Sequence, residues 1–145
     1  MREIAMDEIQ KLQECLQALA EYHNAVSVNF KGAYPSRPYE ETLKLFEKAF
    51  TEGTSRIAVV EDENRMVGFC KIDRNGAHGK LDYLVVQKAY RGKGYGKALM
   101  EWALQSFDRC GVHQIEVKVV DGNDVIHLYE KYGFQMNAHL LVCKR

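Results

Sequence analysis

The feature that most constrains the fold of this chain is a glycine-rich turn between two segments of different periodicity. Residues 90–99 read YRGKGYGKAL, so three glycines and three cations fall within ten residues. The preceding LDYLVVQ is rich in the β-branched and aromatic residues typical of strands. The following KALMEWALQSFDRC repeats its apolar residues at helical spacing and ends before Gly111. The pattern predicts a strand, a tight turn and a helix in direct succession.

The turn has the physical properties of an anion-binding site. The first backbone N–H groups of a helix lack helical partners and carry a partial positive charge. Gly94 and Gly96 have no Cβ to keep a ligand away from that backbone, and Arg91, Lys93 and Lys97 add positive charge. We expect a pyrophosphate here. The alternative, a cationic turn that is only solvated, does not explain why the glycines stand at the start of a helix.

Two common phosphate-binding motifs fail at this turn. The Walker pattern G-x-x-x-x-G-K-[ST] requires a glycine where Arg91 stands and a hydroxyl residue where Ala98 stands. The dinucleotide pattern G-x-G-x-x-G requires a glycine where Lys97 or Leu99 stands. What remains is R-x-x-G-x-G, from Arg91 to Gly96. The sequence therefore argues against a nucleotide-binding module of either kind.

The overall composition narrows the class of partner. Lys+Arg and Asp+Glu number 20 each, so no net charge draws the chain to nucleic acid or to an anionic membrane. No apolar run approaches the length of a membrane span, and the N-terminal MREIAMDEIQKL lacks the apolar core of a signal peptide. The 4 cysteines lack C-x-x-C spacing. We therefore expect a reduced, cytoplasmic protein without a metal site or a disulfide scaffold.

The remaining patterns predict one α+β domain over residues 1–145. Two helices come first, one opened by Asp7 with Gln10 in a capping box and one running from Pro38 to Gly53. Three strands follow, RIAVV, MVGFCKI and KLDYLVVQ, joined by turns at EDEN and at Asn75-Gly76. After the glycine-rich turn and its helix come a strand (IEVKV), a helix (NDVIHLYEKY) and a last strand (HLLVCK, residues 139–144).

The connections predict how these strands pair. Tight turns make the three middle strands antiparallel, whereas the crossover through a helix makes IEVKV parallel to KLDYLVVQ. We therefore expect an α/β three-layer arrangement, in which helices flank a mixed, mostly antiparallel central sheet.

Two segments of the chain resemble motifs of the GNAT superfamily, the acetyl-CoA-dependent N-acetyltransferases. LDYLVVQKAYRGKGYGKALMEWAL is similar to motif A of that family, whose [QR]-x-x-G-x-[GA] turn holds the pyrophosphate of coenzyme A. NDVIHLYEKYGF resembles the motif that follows, and together the two span residues 81–134 in the family's order. The resemblance implies a GNAT-like fold and acetyl-CoA as cosubstrate. It also implies direct transfer of the acetyl group to a primary amine in a ternary complex.

The resemblance further implies which residues bind the cofactor. The strand backbone at Val85 and Val86 would receive the acyl-pantetheine arm. Asn123 matches an asparagine that contacts this arm, and it can also cap the helix that follows. The pyrophosphate would lie against the glycine-rich turn, whose members are Arg91, Gly92, Lys93, Gly94, Tyr95, Gly96 and Lys97.

Tyr129 matches the family's frequent general acid, which protonates the thiolate of coenzyme A. A phenol with a pKa of about 10 suits that role. The alternative is that Tyr129 simply packs in the core, because it stands at helical spacing with apolar neighbours. Tyr132 is the weaker candidate for the acid.

Asp82 stands where many family members carry a glutamate on the strand before the glycine-rich turn, and it is the first candidate for the general base. Because aspartate is the shorter side chain, it would act through a water. An ordinary polar residue on a half-buried strand is an equally good interpretation. The alternative bases are Tyr83, His78 and Glu61.

The sequence leaves the acceptor open. Polyamines, amino acids, aminoglycosides and protein amines are all candidates, and we favour a small-molecule amine. The segment AEYHNAVSVNFKGAYPSRP, residues 20–38, is expected to form part of the acceptor wall. The alternative function is a non-catalytic acyl-CoA sensor of the same fold. A homodimer is the assembly that the family suggests.

Overall fold

The computed structural model describes all of residues 1–145. The strands are β1 (Arg2–Glu3), β2 (Ser55–Asp62), β3 (Arg65–Asn75), β4 (His78–Val86) and β5 (Gln114–Val117). The helices are α1 (Gln13–Val26), α2 (Tyr39–Thr51), α3 (Tyr95–Arg109) and α4 (Ile126–Lys131), with 3-10 helices at Met6–Leu12 and Lys88–Tyr90. None of the helices combines the length and the apolar character that crossing a bilayer requires.

The five strands form one sheet in the order β1-β2-β3-β4-β5. β1 to β4 pair antiparallel and β5 pairs parallel with β4, which confirms the pairing predicted from the connections. The turn between β2 and β3 places Glu63 and Asn64 at φ of 53° and 62°. Two successive left-handed residues are what a tight two-residue hairpin requires.

Helices cover both faces of the sheet, which confirms the three-layer arrangement. On one face, α1 and α2 pack apolar residues such as Leu16 and Phe46 against Val85 and its neighbours in the sheet. On the other face, α3 and α4 contribute Met100 and Tyr129 to a second apolar cluster. The sheet is therefore a middle layer with a core on each side.

β4 and β5 stay paired over a short stretch only, and this positions the candidate site. His78 to Leu81 of β4 lie opposite Gln114 to Val117 of β5. Beyond Leu81, β4 continues to Val86 with β3 as its partner. The two strands part there, so residues 82–86 expose one backbone edge beside the start of α3.

The first helix differs from its prediction. Residues Met6–Leu12 are 3-10 in form, and the α-helix begins only at Gln13. The predicted capping box of Asp7 and Gln10 does not form. Instead the Glu8 carboxylate accepts a hydrogen bond from the Ala5 N–H at 2.9 Å and pairs with Arg2 at 2.6 Å. Arg2 lies on β1, a strand too short to predict from sequence, so a contact with the sheet determines where this helix starts.

The predicted last strand is wrong. Residues 139–144 form no regular secondary structure, and the Leu140 and Leu141 side chains are 76% and 87% exposed. A β-prone run becomes a strand only where a partner backbone completes its hydrogen bonds, and nothing in this structure pairs with these residues. The last helix is also shorter than predicted, because α4 begins at Ile126 rather than at Asn123.

The end of α1 docks on the loop that joins β5 to α4. The Asp121 carboxylate accepts a hydrogen bond from the Ser27 hydroxyl at 2.7 Å and from the next two backbone N–H groups at 2.9 and 2.8 Å. Gly122 follows with φ of 79°, and a Cβ added there would lie 2.2 Å from the Val26 carbonyl oxygen. Glycine at this position therefore permits two backbones to approach closely.

We expect Gly122→Ala to destabilise the fold by about 2–5 kcal/mol, because the methyl group meets backbone and the residue must hold a left-handed conformation. Gly111→Ala is the matched control, since Gly111 has φ of 68° but a Cβ there meets nothing within 4 Å. The control should lose only about 1–2 kcal/mol. Urea denaturation of both variants measures the difference, and equal losses would contradict the close approach.

Candidate active site

The start of α3 forms an open depression. Gly94 precedes the helix with φ of 86°, and Gly92 has φ of 81°, both left-handed. The Ala98 N–H makes a helical hydrogen bond to the Gly94 carbonyl at 3.0 Å, so the three amides before it lack helical partners. The depression measures about 310 Å³ and is lined by Val86, Tyr90, Arg91, Gly92, Gly94, Tyr95, Gly96 and Lys97. The structure thus brings the predicted turn residues, other than Lys93, to one surface.

Arg91 is held on two sides and still presents free nitrogens to the depression. Its Nε donates a hydrogen bond to the Val86 carbonyl at 2.9 Å, and its guanidinium carbon lies 4.8 Å from the centre of the Tyr22 ring. The two terminal nitrogens make no hydrogen bond within the chain. Lys97 lies at the rim, 73% exposed and 3.7 Å from Glu101. These two cations are available to an anion.

Lys93 and Tyr95 are tied to Asp62, at the end of β2. The Asp62 carboxylate accepts a hydrogen bond from the Tyr95 hydroxyl at 2.9 Å and lies 3.1 Å from the Lys93 ammonium. These contacts, that of Tyr95 first, lower the pKa of Asp62. The charge of Lys93 is therefore partly neutralised, and the glycine-rich turn is anchored to the sheet. The sequence carries no signal for this contact, because Asp62 lies in an ordinary polar hairpin segment.

The hydrogen-bond alternation along β4 decides which of its amides face the open edge. The Gln87 N–H donates to the Val67 carbonyl of β3 at 2.8 Å. In an antiparallel pair every second residue of one strand forms its backbone hydrogen bonds with the same neighbouring strand. The Val85 N–H, two residues before Gln87, therefore also points toward β3. The backbone groups of Leu84 and Val86 point the other way, toward the gap that β5 leaves. Of the two predicted strand residues, Val86 presents a backbone amide to the site and Val85 packs its side chain into the core.

Asn123 lies in the loop before α4. Its side-chain oxygen accepts hydrogen bonds from the Val125 N–H and from the Tyr22 hydroxyl, both at 3.1 Å. Its side-chain nitrogen makes no hydrogen bond within the chain and stays available to a ligand. The predicted cap by Asn123 does not form, because α4 begins at Ile126 and its N-cap Val125 has no side-chain cap; the Asn123 oxygen closes a turn before the helix instead. The sequence gave no sign of the link to α1 through Tyr22.

Tyr129 is both buried and chemically available. Its side chain belongs to the core, with the ring edge-on to Phe134 at 5.6 Å. Burial, followed by the electrostatic interaction with Cys70, raises the pKa of Tyr129 to about 12. Its hydroxyl makes no hydrogen bond within the chain, yet no fully buried side-chain oxygen or nitrogen lacks a partner. The hydroxyl oxygen therefore keeps contact with solvent, and its proton is free to be donated.

Asp82 forms ion pairs with two lysines. The buried Lys71 ammonium lies 2.7 Å from both Asp82 and Asp73, and Lys80 lies 3.4 Å from the other Asp82 oxygen. Burial raises the pKa of Asp82, but the charges and hydrogen bonds of the two lysines outweigh it and lower that pKa. A carboxylate with a lowered pKa accepts a proton poorly. The geometry thus favours a structural role for Asp82.

The alternative bases are no better placed. His78 begins β4, at the opposite end of the strand from the depression, and faces Glu116 at 3.8 Å. Tyr83 packs against two phenylalanine rings, and burial raises its pKa. Glu61 pairs with Arg2 at 2.7 Å. No group of three His, Cys, Asp or Glu side chains is placed to hold a metal ion.

Known proteins share this sequence pattern and this architecture. Residues 14–134 match the model of a family described as the acetyltransferase (GNAT) family. A curated relative, the spermidine N(1)-acetyltransferase of Vibrio cholerae serotype O1, is 30% identical over 123 residues, which cover 81% of this chain and 70% of that protein.

Solved structures resemble the fold over nearly its whole length. The PaiA N-acetyltransferase of Thermoplasma acidophilum, in complex with coenzyme A, gives a TM-score of 0.76 at 18% identity and covers 94% of this chain and 89% of its own. An acetyltransferase of Trypanosoma brucei gives a TM-score of 0.71 at 19% identity and covers 99% and 97%. At these identities the likeness establishes the fold alone.

The ion pair of Asp82 predicts an acid-sensitive contribution to stability. Since folding lowers the pKa of Asp82, its stabilising effect is fully present above the unfolded-state pKa of about 4 and is lost as the pH falls through the lower folded-state pKa. We expect Asp82→Asn to lower the free energy of unfolding by about 1–3 kcal/mol at pH 7 and by less at pH 3. Urea denaturation at both pH values measures this, with the exposed Asp108→Asn as control.

The same variant tests the catalytic interpretation. If Asp82 is structural, the kcat of Asp82→Asn stays within about twofold of the unaltered enzyme. A fall of about a hundredfold or more would make Asp82 the base and contradict the structural role.

Proposed function

Because this chain belongs to the GNAT acetyltransferase family, we propose that it transfers the acetyl group of acetyl-CoA to a primary amine in a ternary complex. Residues 1–145 would act as one catalytic domain. The observation that carries the proposal is that two sets of backbone amides without partners lie side by side. One set is at the start of α3 and the other is on the open edge of β4. An elongated ligand with an anionic end and an amide-bearing arm matches both sets.

The cofactor's pyrophosphate fits the depression at the start of α3. Three amides without helical partners, two left-handed glycines and the terminal nitrogens of Arg91 converge there. Lys97 adds a second, exposed charge at the rim, 3.7 Å from Glu101. A backbone without Cβ atoms and a planar guanidinium are the groups that bind such an anion at close range.

The arm fits between β4 and the loop that carries Asn123. The Val86 N–H faces this gap and can donate to a carbonyl, and the Asn123 side-chain nitrogen can donate from the other side. When bound, acetyl-CoA supplies the acetyl group as an activated thioester. A backbone N–H held by a sheet is a preorganised donor for a carbonyl oxygen that gains negative charge.

Tyr129 supplies the proton that the departing thiol requires. Its phenol is protonated at neutral pH, and its hydroxyl has no competing partner within the chain. Burial raises its pKa to about 12 and so makes it a weaker acid than a free tyrosine, but a thiolate that forms beside it is a base strong enough to take the proton. For the base that receives the proton of the incoming amine, Asp82 is the residue that the family resemblance predicts. Its ion pair with Lys71 argues against that role.

We favour a small-molecule amine as acceptor. The support is the relative from Vibrio cholerae, which is described as a spermidine N(1)-acetyltransferase. The second candidate function is a non-catalytic acyl-CoA sensor, which the absence of an unpaired base among the predicted residues favours. The two differ in turnover, and both bind coenzyme A.

Turnover is tested by thiol release from acetyl-CoA over a panel of amines, namely polyamines, amino acids, aminoglycosides and lysine peptides. We expect release with at least one small amine, and we expect Tyr129→Phe to lower kcat by about 10²-fold or more while leaving the Kd for coenzyme A nearly unchanged. Binding of coenzyme A without release over the whole panel would favour the sensor. An unchanged kcat in the variant would remove Tyr129 from the reaction.

Cofactor binding is tested by charge reversal at Arg91. We expect Arg91→Glu to raise the Kd for coenzyme A by at least about tenfold, because a charge-assisted hydrogen bond is lost and a like charge is gained. Lys44→Glu, an exposed cation on α2 with no ion pair, is the control and should leave Kd unchanged. Calorimetry measures both, and equal Kd values would refute the pyrophosphate site.

A further inference from the structure

Tyr22, in the last turns of α1, touches residues from both sides of the cofactor groove. Its ring lies under the Arg91 guanidinium at 4.8 Å, and its hydroxyl donates a hydrogen bond to the Asn123 side chain at 3.1 Å. Arg91 belongs to the glycine-rich turn and Asn123 to the loop before α4. One side chain of α1 therefore joins two segments that the sheet itself leaves apart.

These contacts form an unbroken chain across the gap between β4 and α4. It begins at the Val86 carbonyl, which accepts from Arg91 at 2.9 Å, and passes through the Tyr22 ring and hydroxyl to Asn123. It ends at the Val125 N–H, which donates to Asn123 at 3.1 Å. No other side chain links these two segments by a hydrogen bond or by a contact between a cation and an aromatic ring.

The position of Tyr22 is determined by the docking of the helix that carries it. Asp121 binds the end of α1 through three hydrogen bonds, and Gly122 brings its backbone against the Val26 carbonyl. Tyr22 lies one turn before Val26. The ring is thus held over Arg91 by contacts that do not involve Arg91 itself.

We propose that Tyr22 is a positioning residue that clamps the cofactor groove: its ring orients Arg91 toward the pyrophosphate, and its hydroxyl orients Asn123 toward the arm. This inference rests on the function proposed above. The guanidinium carbon lies over the ring, 4.8 Å from its centre, and this contact leaves the terminal nitrogens without a partner in the chain. The hydroxyl occupies the Asn123 oxygen and thereby turns the donor nitrogen into the gap.

The two contacts serve different parts of the cofactor, so they are separable. Tyr22→Phe removes the hydroxyl and keeps the ring, whereas Tyr22→Leu removes both. Pantetheine contains the arm but neither the pyrophosphate nor the nucleoside. A defect in orienting Asn123 therefore affects coenzyme A and pantetheine alike, and a defect in orienting Arg91 affects coenzyme A alone.

The experiment measures Kd for coenzyme A and for pantetheine by calorimetry. We expect Tyr22→Phe to raise both Kd values by the same factor of about three, the loss of one hydrogen bond. Tyr22→Leu should raise the Kd for coenzyme A by about tenfold and that for pantetheine by about threefold. In an Arg91→Gln background the additional loss from Tyr22→Leu should disappear, because the residues act as a pair.

Steady-state kinetics separate positioning from mere stability. We expect the KM for acetyl-CoA to follow the Kd while kcat stays within about twofold. Glu21→Gln, an exposed neighbour on α1 without an ion pair, is the control and should change neither. A fall in kcat with unchanged Kd values would contradict the positioning role of Tyr22.

The outcomes distinguish a failure of the proposed function from a failure of the role of Tyr22. Failure of the unaltered chain to bind coenzyme A overturns both the proposed function and the role of Tyr22. Normal binding by the unaltered chain together with unchanged Kd values in the Tyr22 variants overturns the role of Tyr22 alone. If Tyr22→Leu fails to fold, Tyr22→Phe still decides, since its equal threefold effect on both ligands needs no second variant.

Discussion

The separation of β4 from β5 beyond Leu81 is the constraint on which the rest of the site depends. Strands that stay paired satisfy each other's backbone groups and leave none for a ligand. Here β4 runs on to Val86 without β5, so unpaired amides remain on one edge. The chain leaves this end of β4 for α3, which must start there in order to return β5 to a parallel register. The free edge and the free helix terminus therefore converge for a topological reason.

The cations around this groove divide into those available to a ligand and those already paired. The terminal nitrogens of Arg91 have no partner in the chain, and Lys97 is 73% exposed with only a long contact of 3.7 Å to Glu101. Lys93 is paired with Asp62 at 3.1 Å, and the buried Lys71 is paired with two carboxylates. A paired cation contributes little attraction to an incoming anion, because its partner's field opposes its own. The electrostatics of the site thus rest on fewer charges than the composition of the turn suggests.

The sequence predicted best those structural features that depend on residues close to one another in the chain. The glycine-rich turn, the helix after it and the hairpins are local features, and the structure contains each of them. The contacts of Asp62 and Tyr22 join residues far apart in the chain, and no spacing within one segment signals them. The same reason explains the wrong last strand. Its β-prone residues were visible at 139–144, but the absence of a partner strand was not.

The clamp by Tyr22 links the cofactor groove to the wall that we expect to face the acceptor. α1 leads directly into residues 27–38, and its end is bound to the same loop that carries Asn123. A shift of α1 on acceptor binding would therefore move Tyr22 relative to Arg91 and Asn123. Because linkage is reciprocal, any factor by which the acceptor changes cofactor affinity is the factor by which the cofactor changes acceptor affinity. If the acceptor lies against residues 27–38, cofactor affinity and acceptor choice would therefore be coupled through this one helix.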